Sequence, residues 1–112
     1  MNFDRFRAIC LELEDVSETF PFGPETVVYK VGGKVFALAG IDPFESVNLK
    51  CDPEKALELR EQFDAVQPGY HMNKKHWNTV HMGRSVPDRI IASWIIDSYQ
   101  LVAAKRAGKK SK

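Results

Sequence analysis

The stretch Thr26-Val27-Val28-Tyr29-Lys30-Val31-Gly32-Gly33-Lys34-Val35-Phe36-Ala37-Leu38-Ala39 decides the fold. Two runs rich in β-branched and aromatic residues flank a Gly-Gly pair, and glycine takes the positive φ angles of a two-residue hairpin turn without steric cost. Two antiparallel strands are predicted. Downstream, Ser46-Val47-Asn48-Leu49-Lys50 alternates polar and apolar residues, as a strand with one solvated face does. It extends the hairpin to three strands.

Helical spacing brackets these strands. From Asn2 to Asp15, Phe3, Phe6, Ile9, Cys10 and Leu13 recur three or four apart, the stripe of an amphipathic helix that Asn2 can cap. Phe20-Pro21-Phe22-Gly23-Pro24 then reads as a rigid aromatic loop. Asp52-Pro53 supplies an N-cap and a proline for the first turn of a short second helix whose stripe is Ala56, Leu59 and Phe63. Pro68-Gly69 fits the central pair of a type II turn, Trp77 to Met82 reads as a strand, and the segment between them as an exposed connection. Ser85, with Pro87 and Asp88 behind it, resembles the start of a last helix carrying Ile90, Ile91, Trp94, Ile95, Leu101 and Val102. The expected class is α+β: an antiparallel sheet of about five strands with helices packed on one face, in the order α-β-β-β-α-β-β-α.

With 112 residues, the chain is the size of one domain. Residues 1–104 are expected to form it, and Lys105-Arg106-Ala107-Gly108-Lys109-Lys110-Ser111-Lys112 a disordered basic tail. The formal charge is +1, but residues 1–64 hold 7 basic and 13 acidic side chains (net −6), and residues 65–112 hold 9 and 2 (net +7). That asymmetry points to an anionic partner for the second half. Cys10 and Cys51 stand far apart with no CxxC, which excludes a zinc ribbon or a disulfide framework and suggests small buried hydrophobes. No window approaches the ~18 consecutive apolar residues of a membrane span. A cytoplasmic protein without membrane contact is expected.

The run Gly69-Tyr70-His71-Met72-Asn73-Lys74-Lys75-His76-Trp77-Asn78-Thr79-Val80, then Val86-Pro87-Asp88 and Ser98-Tyr99-x-Leu101-Val102, resembles the MmcQ/YjbR family of small bacterial proteins. Phe20-Pro21-Phe22-Gly23-x-Glu25-x-x-Val28-Tyr29-Lys30-Val31 is similar to the family's first hairpin. The likeness extends to about Ala104. It implies a fold similar to that of the bacterial frataxin CyaY, with a double-wing arrangement, and a role in binding DNA.

On this reading Lys74, Lys75, His76 and Asn78 form a basic β-wing that neutralises phosphates and donates to base edges, while Arg84 and Arg89 extend the surface from the start of the last helix. Trp77 is expected in the core. His71, His76 and His81 share one short stretch, but His76 and His81 are an odd number of residues apart and fall on opposite faces of a continuous strand, so no metal site is expected there. No GxSxG, P-loop or GxGxxG is present, and neither cysteine has an activating partner in sequence. A non-enzymatic, monomeric protein without cofactor or small-molecule substrate is expected, with DNA as its partner. Two alternatives stand beside it. One is a frataxin-like acidic surface, Glu12, Glu14, Asp15 and Glu18, for a metal ion or protein partner; the other is a protein-interaction module using Phe20, Phe22 and Phe44.

Overall fold

The computed structural model describes the backbone of residues 1–110 and the side chains of residues 1–104. Its elements are α1 (Phe3–Glu12), β1 (Val16–Thr19), β2 (Thr26–Val31), β3 (Lys34–Gly40), β4 (Ser46–Lys50), α2 (Pro53–Gln62), β5 (Val66–Pro68), β6 (Trp77–His81) and α3 (Asp88–Lys110). Six antiparallel strands form one sheet in the order β1-β2-β3-β4-β6-β5. The Gly-Gly turn forms as expected, Gly32 and Gly33 having φ of 58° and 81°. Both expected caps also form: the Asn2 side chain accepts from Arg5 N at 2.9 Å, and Asp52 from Lys55 N at 3.3 Å.

The sixth strand, β1, was not expected. Val-Ser-Glu-Thr has no apolar alternation to betray it, and the edge strand exists because Val16 to Thr19 pair with Val31 to Val28. To reach that edge, α1 stops at Glu12 rather than Asp15, and Asp15 turns the chain at φ 68°. The last helix also starts later than expected, at Asp88. Ser85 takes φ 65°, and the first helical amides of Ile90 and Ile91 bond to Pro87 O instead. The expected basic tail, residues 105–112, lies outside the described residues apart from the helical backbone that α3 carries to Lys110.

The helices bury one face of the sheet. Phe6 and Cys10 of α1, Leu59 of α2, and Ile91, Trp94, Ile95 and Val102 of α3 meet Val27, Tyr29, Val31, Val47, Leu49 and Val80 from the strands. Between Tyr29/Lys30 of β2 and Ala37/Val35 of β3 the register shifts by one residue. This bulge lets Phe36 and Ala37, neighbours in sequence, both enter the core. Phe36 meets Tyr99 edge-on at 5.5 Å, and its carbonyl accepts from the buried Ser98 hydroxyl at 2.5 Å, fixing α3 across β3. Fully buried aromatics such as Phe6 each contribute roughly 2–3 kcal/mol through apolar burial.

The opposite face carries no helix. Its strand positions are the alternate ones: Val28 and Lys30, Val35 and Leu38, Asn48 and Lys50, Trp77 and Thr79. Two loops reach over it, the aromatic loop around Pro21 and Phe22 and the β5–β6 connection around Tyr70 to Met72.

Candidate nucleic-acid interface

The β5–β6 connection is built from two consecutive turns rather than the expected one. Pro68 belongs to β5, and Gly69 donates its N–H to Trp77 O at 2.9 Å. The first turn closes at Met72 N to Gly69 O, with Tyr70 and His71 as its central pair and His71 at φ 57°. Glycine at position 69 serves close approach instead of turn geometry, since a Cβ there would sit 2.7 Å from the Trp77 Cβ. The second turn runs from Asn73 to His76, and the Asn73 side chain accepts from Lys75 N at 2.9 Å.

Lys74 and Lys75 lie exposed on this connection, and His76 is half-buried at its end. The Lys74 ammonium donates to Gly69 O at 3.0 Å, leaving two of its three donors for a ligand. Asn78 does not reach a base edge. It is 2% exposed on the helix-covered face, where its amide oxygen accepts from Arg60 Nε at 2.8 Å and its nitrogen donates to Ala56 O. Strand alternation from the exposed wing places Asn78 inward, so it is an internal hydrogen-bonding group and not the expected contact. Trp77 is buried as expected, with the Lys50 ammonium 5.4 Å from its ring centre.

Arg84 and Arg89 are exposed but stand beyond the other end of β6. Five strand residues separate the two groups by about 13 Å. The two arginines thus stand apart from Lys74 and Lys75 along the sheet.

Arg60 of α2 was not anticipated, and it fixes the wing. Besides Asn78, its guanidinium donates to Lys74 O and to Trp77 O, tying the connection to the helix layer. Also unanticipated was a groove of ≈ 570 Å³ on the helix-free face, floored by Val28, Val35, Leu38 and Trp77, flanked by Phe22, Tyr70 and His71, and lined by Lys30. Lys50 stands on the same face opposite Trp77. Strand positions directed to this face include Lys30, Lys50 and His81 and no carboxylate. The signal was present in sequence: Lys30 shares parity with Thr26 and Val28, opposite to Val27, Tyr29 and Val31, and Lys50 with Ser46 and Asn48, opposite to Val47 and Leu49. Half-chain charge totals concealed it, because both lysines belong to the acidic half.

The acidic alternative loses a member. Glu18 turns inward, accepting from Arg7 Nε at 2.8 Å and from the Tyr29 hydroxyl at 2.8 Å. Bonding to Arg7 holds its carboxyl below the usual range, against a smaller opposing effect of desolvation, while burial and then Glu18 itself push the Tyr29 hydroxyl up. Among the described residues no group of three His, Cys, Asp or Glu side chains is placed to hold a metal ion. Phe44 is half-buried and packs on Phe3 and Phe6 at 6.1 and 5.6 Å. The thiols are free, Cys10 buried and Cys51 half-buried; burial, then Asp52, pushes Cys51 up to about 11. No helix among the described residues is long and apolar enough to cross a membrane.

The family model described as YjbR matches residues 11–101. The chain belongs to the YjbR family. Its relative YbdF of Escherichia coli O157:H7 is 42% identical over 111 residues, covering 93% of this chain and 88% of the relative. YyaQ of Bacillus subtilis is 38% identical over 64 residues, 57% of this chain and 53% of the relative. Among solved structures, the Deinococcus radiodurans protein DR2400, of domain DUF419, superposes with a TM-score of 0.83 at 42% identity, covering 90% of this chain and 78% of that one. A crystal structure of a Pseudomonas syringae protein gives 0.76 at 30% identity, covering 91% and 99%. The α+β architecture is thus that of the family.

Proposed function

We propose that this YjbR-family protein is a non-enzymatic DNA-binding module that engages phosphates through the cations of its helix-free sheet face and of the wing beside it. One observation carries the reading: that face presents Lys30 and Lys50 with no carboxylate, whereas the carboxylates of the acidic half lie on helices, turns and the other face. Among the described residues, neither the Met1–Asp88 nor the Arg7–Glu18 ion pair draws on Lys30. Lys74 and Lys75 add charge beside Tyr70 and His71, which border the groove.

Four such contacts give a dependence of log K on log salt of slope about −3 to −4. Fluorescence anisotropy with labelled DNA from low to moderate salt measures it. Lys30→Gln/Lys50→Gln is expected to weaken binding and flatten the slope by about two, and Lys74→Ala/Lys75→Ala to do the same. Affinity unchanged in both variants, or no binding at low salt, refutes the proposal.

A further inference from the structure

We infer that the groove seats unpaired bases, so that the preferred ligand is single-stranded DNA rather than duplex. The inference rests on the DNA-binding reading and names the ligand class for the same face.

Phosphate contacts alone call for nothing but lysines, yet this groove also holds two aromatic rings where water would otherwise be their neighbour. Phe22 is 75% exposed and Tyr70 69% exposed, and they border one depression whose floor is apolar. In a duplex the base faces are stacked on one another and cannot meet such rings. An unpaired base offers both a π-face and apolar surface, and stacking on an aromatic side chain favours it whatever its sequence.

The ring at position 70 is also held in place. His71 in the left-handed region folds its imidazole against the Tyr70 ring, with centroids 4.0 Å apart. Tyr70 N donates to the Thr79 hydroxyl at 3.0 Å, and that hydroxyl donates to Asn48 Oδ1 at 2.5 Å, so the turn is bonded across two strands. A non-glycine residue persists at positive φ only where the surrounding structure over-determines it. The exposed tyrosine is therefore positioned before any ligand arrives, which lowers the ordering cost of stacking. Trp77 serves as floor, because Lys50 already lies over its ring. Lys30 and Lys50 stand on strands separated by β3, about 10 Å apart, and border the apolar floor as backbone contacts would require.

The test compares three labelled ligands of equal length by anisotropy at one salt concentration: oligothymidylate, a duplex, and an abasic strand that keeps the phosphates and lacks the bases. Oligothymidylate is expected to bind at least ten-fold more tightly than the other two. Tyr70→Ala and Phe22→Ala are each expected to cost about ten-fold for oligothymidylate while leaving the abasic strand and the salt slope unchanged. Both side chains are exposed, and circular dichroism verifies folding of each variant. If all three ligands bind equally, or both aromatic variants bind oligothymidylate as the parent does, the groove inference is overturned while DNA binding stands. If none binds the parent protein at low salt, the broader reading falls with it.

Discussion

Arg60→Ala tests the most specific feature of the structure, the tie between the wing and the helix layer. The guanidinium makes a charge-assisted bond of 2.8 Å to the amide oxygen of Asn78, a side chain 2% exposed, and further bonds to Trp77 O and Lys74 O. Removing it leaves that buried oxygen without its donor, a loss of about 1–3 kcal/mol, while the two backbone carbonyls lose a donor nearer to water and add less. A total of about 2–3 kcal/mol is expected, against the roughly 5–15 kcal/mol typical of a whole domain. For a chain of this length each kcal/mol shifts Tm by about 4 °C, so the variant should melt roughly 10 °C lower. Urea unfolding followed by circular dichroism measures the free energy, and a cycle with Asn78→Ala isolates the pair. A coupling of at least about 1 kcal/mol is expected. Loss of under about 0.5 kcal/mol, or strict additivity in the cycle, refutes the reasoning.

Three further outcomes follow from other parts of the molecule. Gly69→Ala drives a Cβ to 2.7 Å from the Trp77 Cβ and 3.1 Å from its carbonyl oxygen, neither at the end of a flexible side chain, so a loss of about 1–3 kcal/mol is expected in the same urea assay; a neutral variant would contradict the close approach. Arg7 holds the folded-state pKa of Glu18 below its unfolded value, so the stabilisation is complete above the unfolded carboxylate pKa of about 4.3 and is lost as pH falls through the lower folded value. Glu18→Gln should therefore flatten the fall in urea midpoint between about pH 5 and pH 3, and an unaltered acid limb would exclude that contribution. Burial leaves both thiols protonated near neutrality, Cys51 with a pKa of about 11, so Ellman's reagent should react slowly with the native protein and rapidly after unfolding; one fast native thiol would count against the placement of Cys10 or Cys51.

Sequence was most informative where a local rule acts alone. Gly32-Gly33 demanded a hairpin, Asn2 and Asp52 demanded helix starts, and the stripe from Ile91 to Val102 demanded a helix buried along one side. It failed where the partner came from elsewhere in the chain. Val16–Thr19 is a strand only because β2 offers a free edge. The candidate site divides in the same way. Lys74 and Lys75 were legible as exposed cations, but Asn78 looked equally polar and is an internal hydrogen-bonding group, because alternation along β6 turns it toward Arg60.

By itself the sequence determined the three helices and the strands other than β1 to within a few residues, the α+β class and the membership in a family, because these depend on spacing and on turn chemistry along the chain. Only the tertiary structure decided which charges share a face. Lys30 and Lys50 are twenty residues apart in the acidic half, yet sheet pairing sets them on the same face as the loop that carries Tyr70, while β6 sets Arg84 and Arg89 apart from Lys74 and Lys75. A binding face depends on distances in space, and composition counts charges without regard to the side of the sheet they occupy.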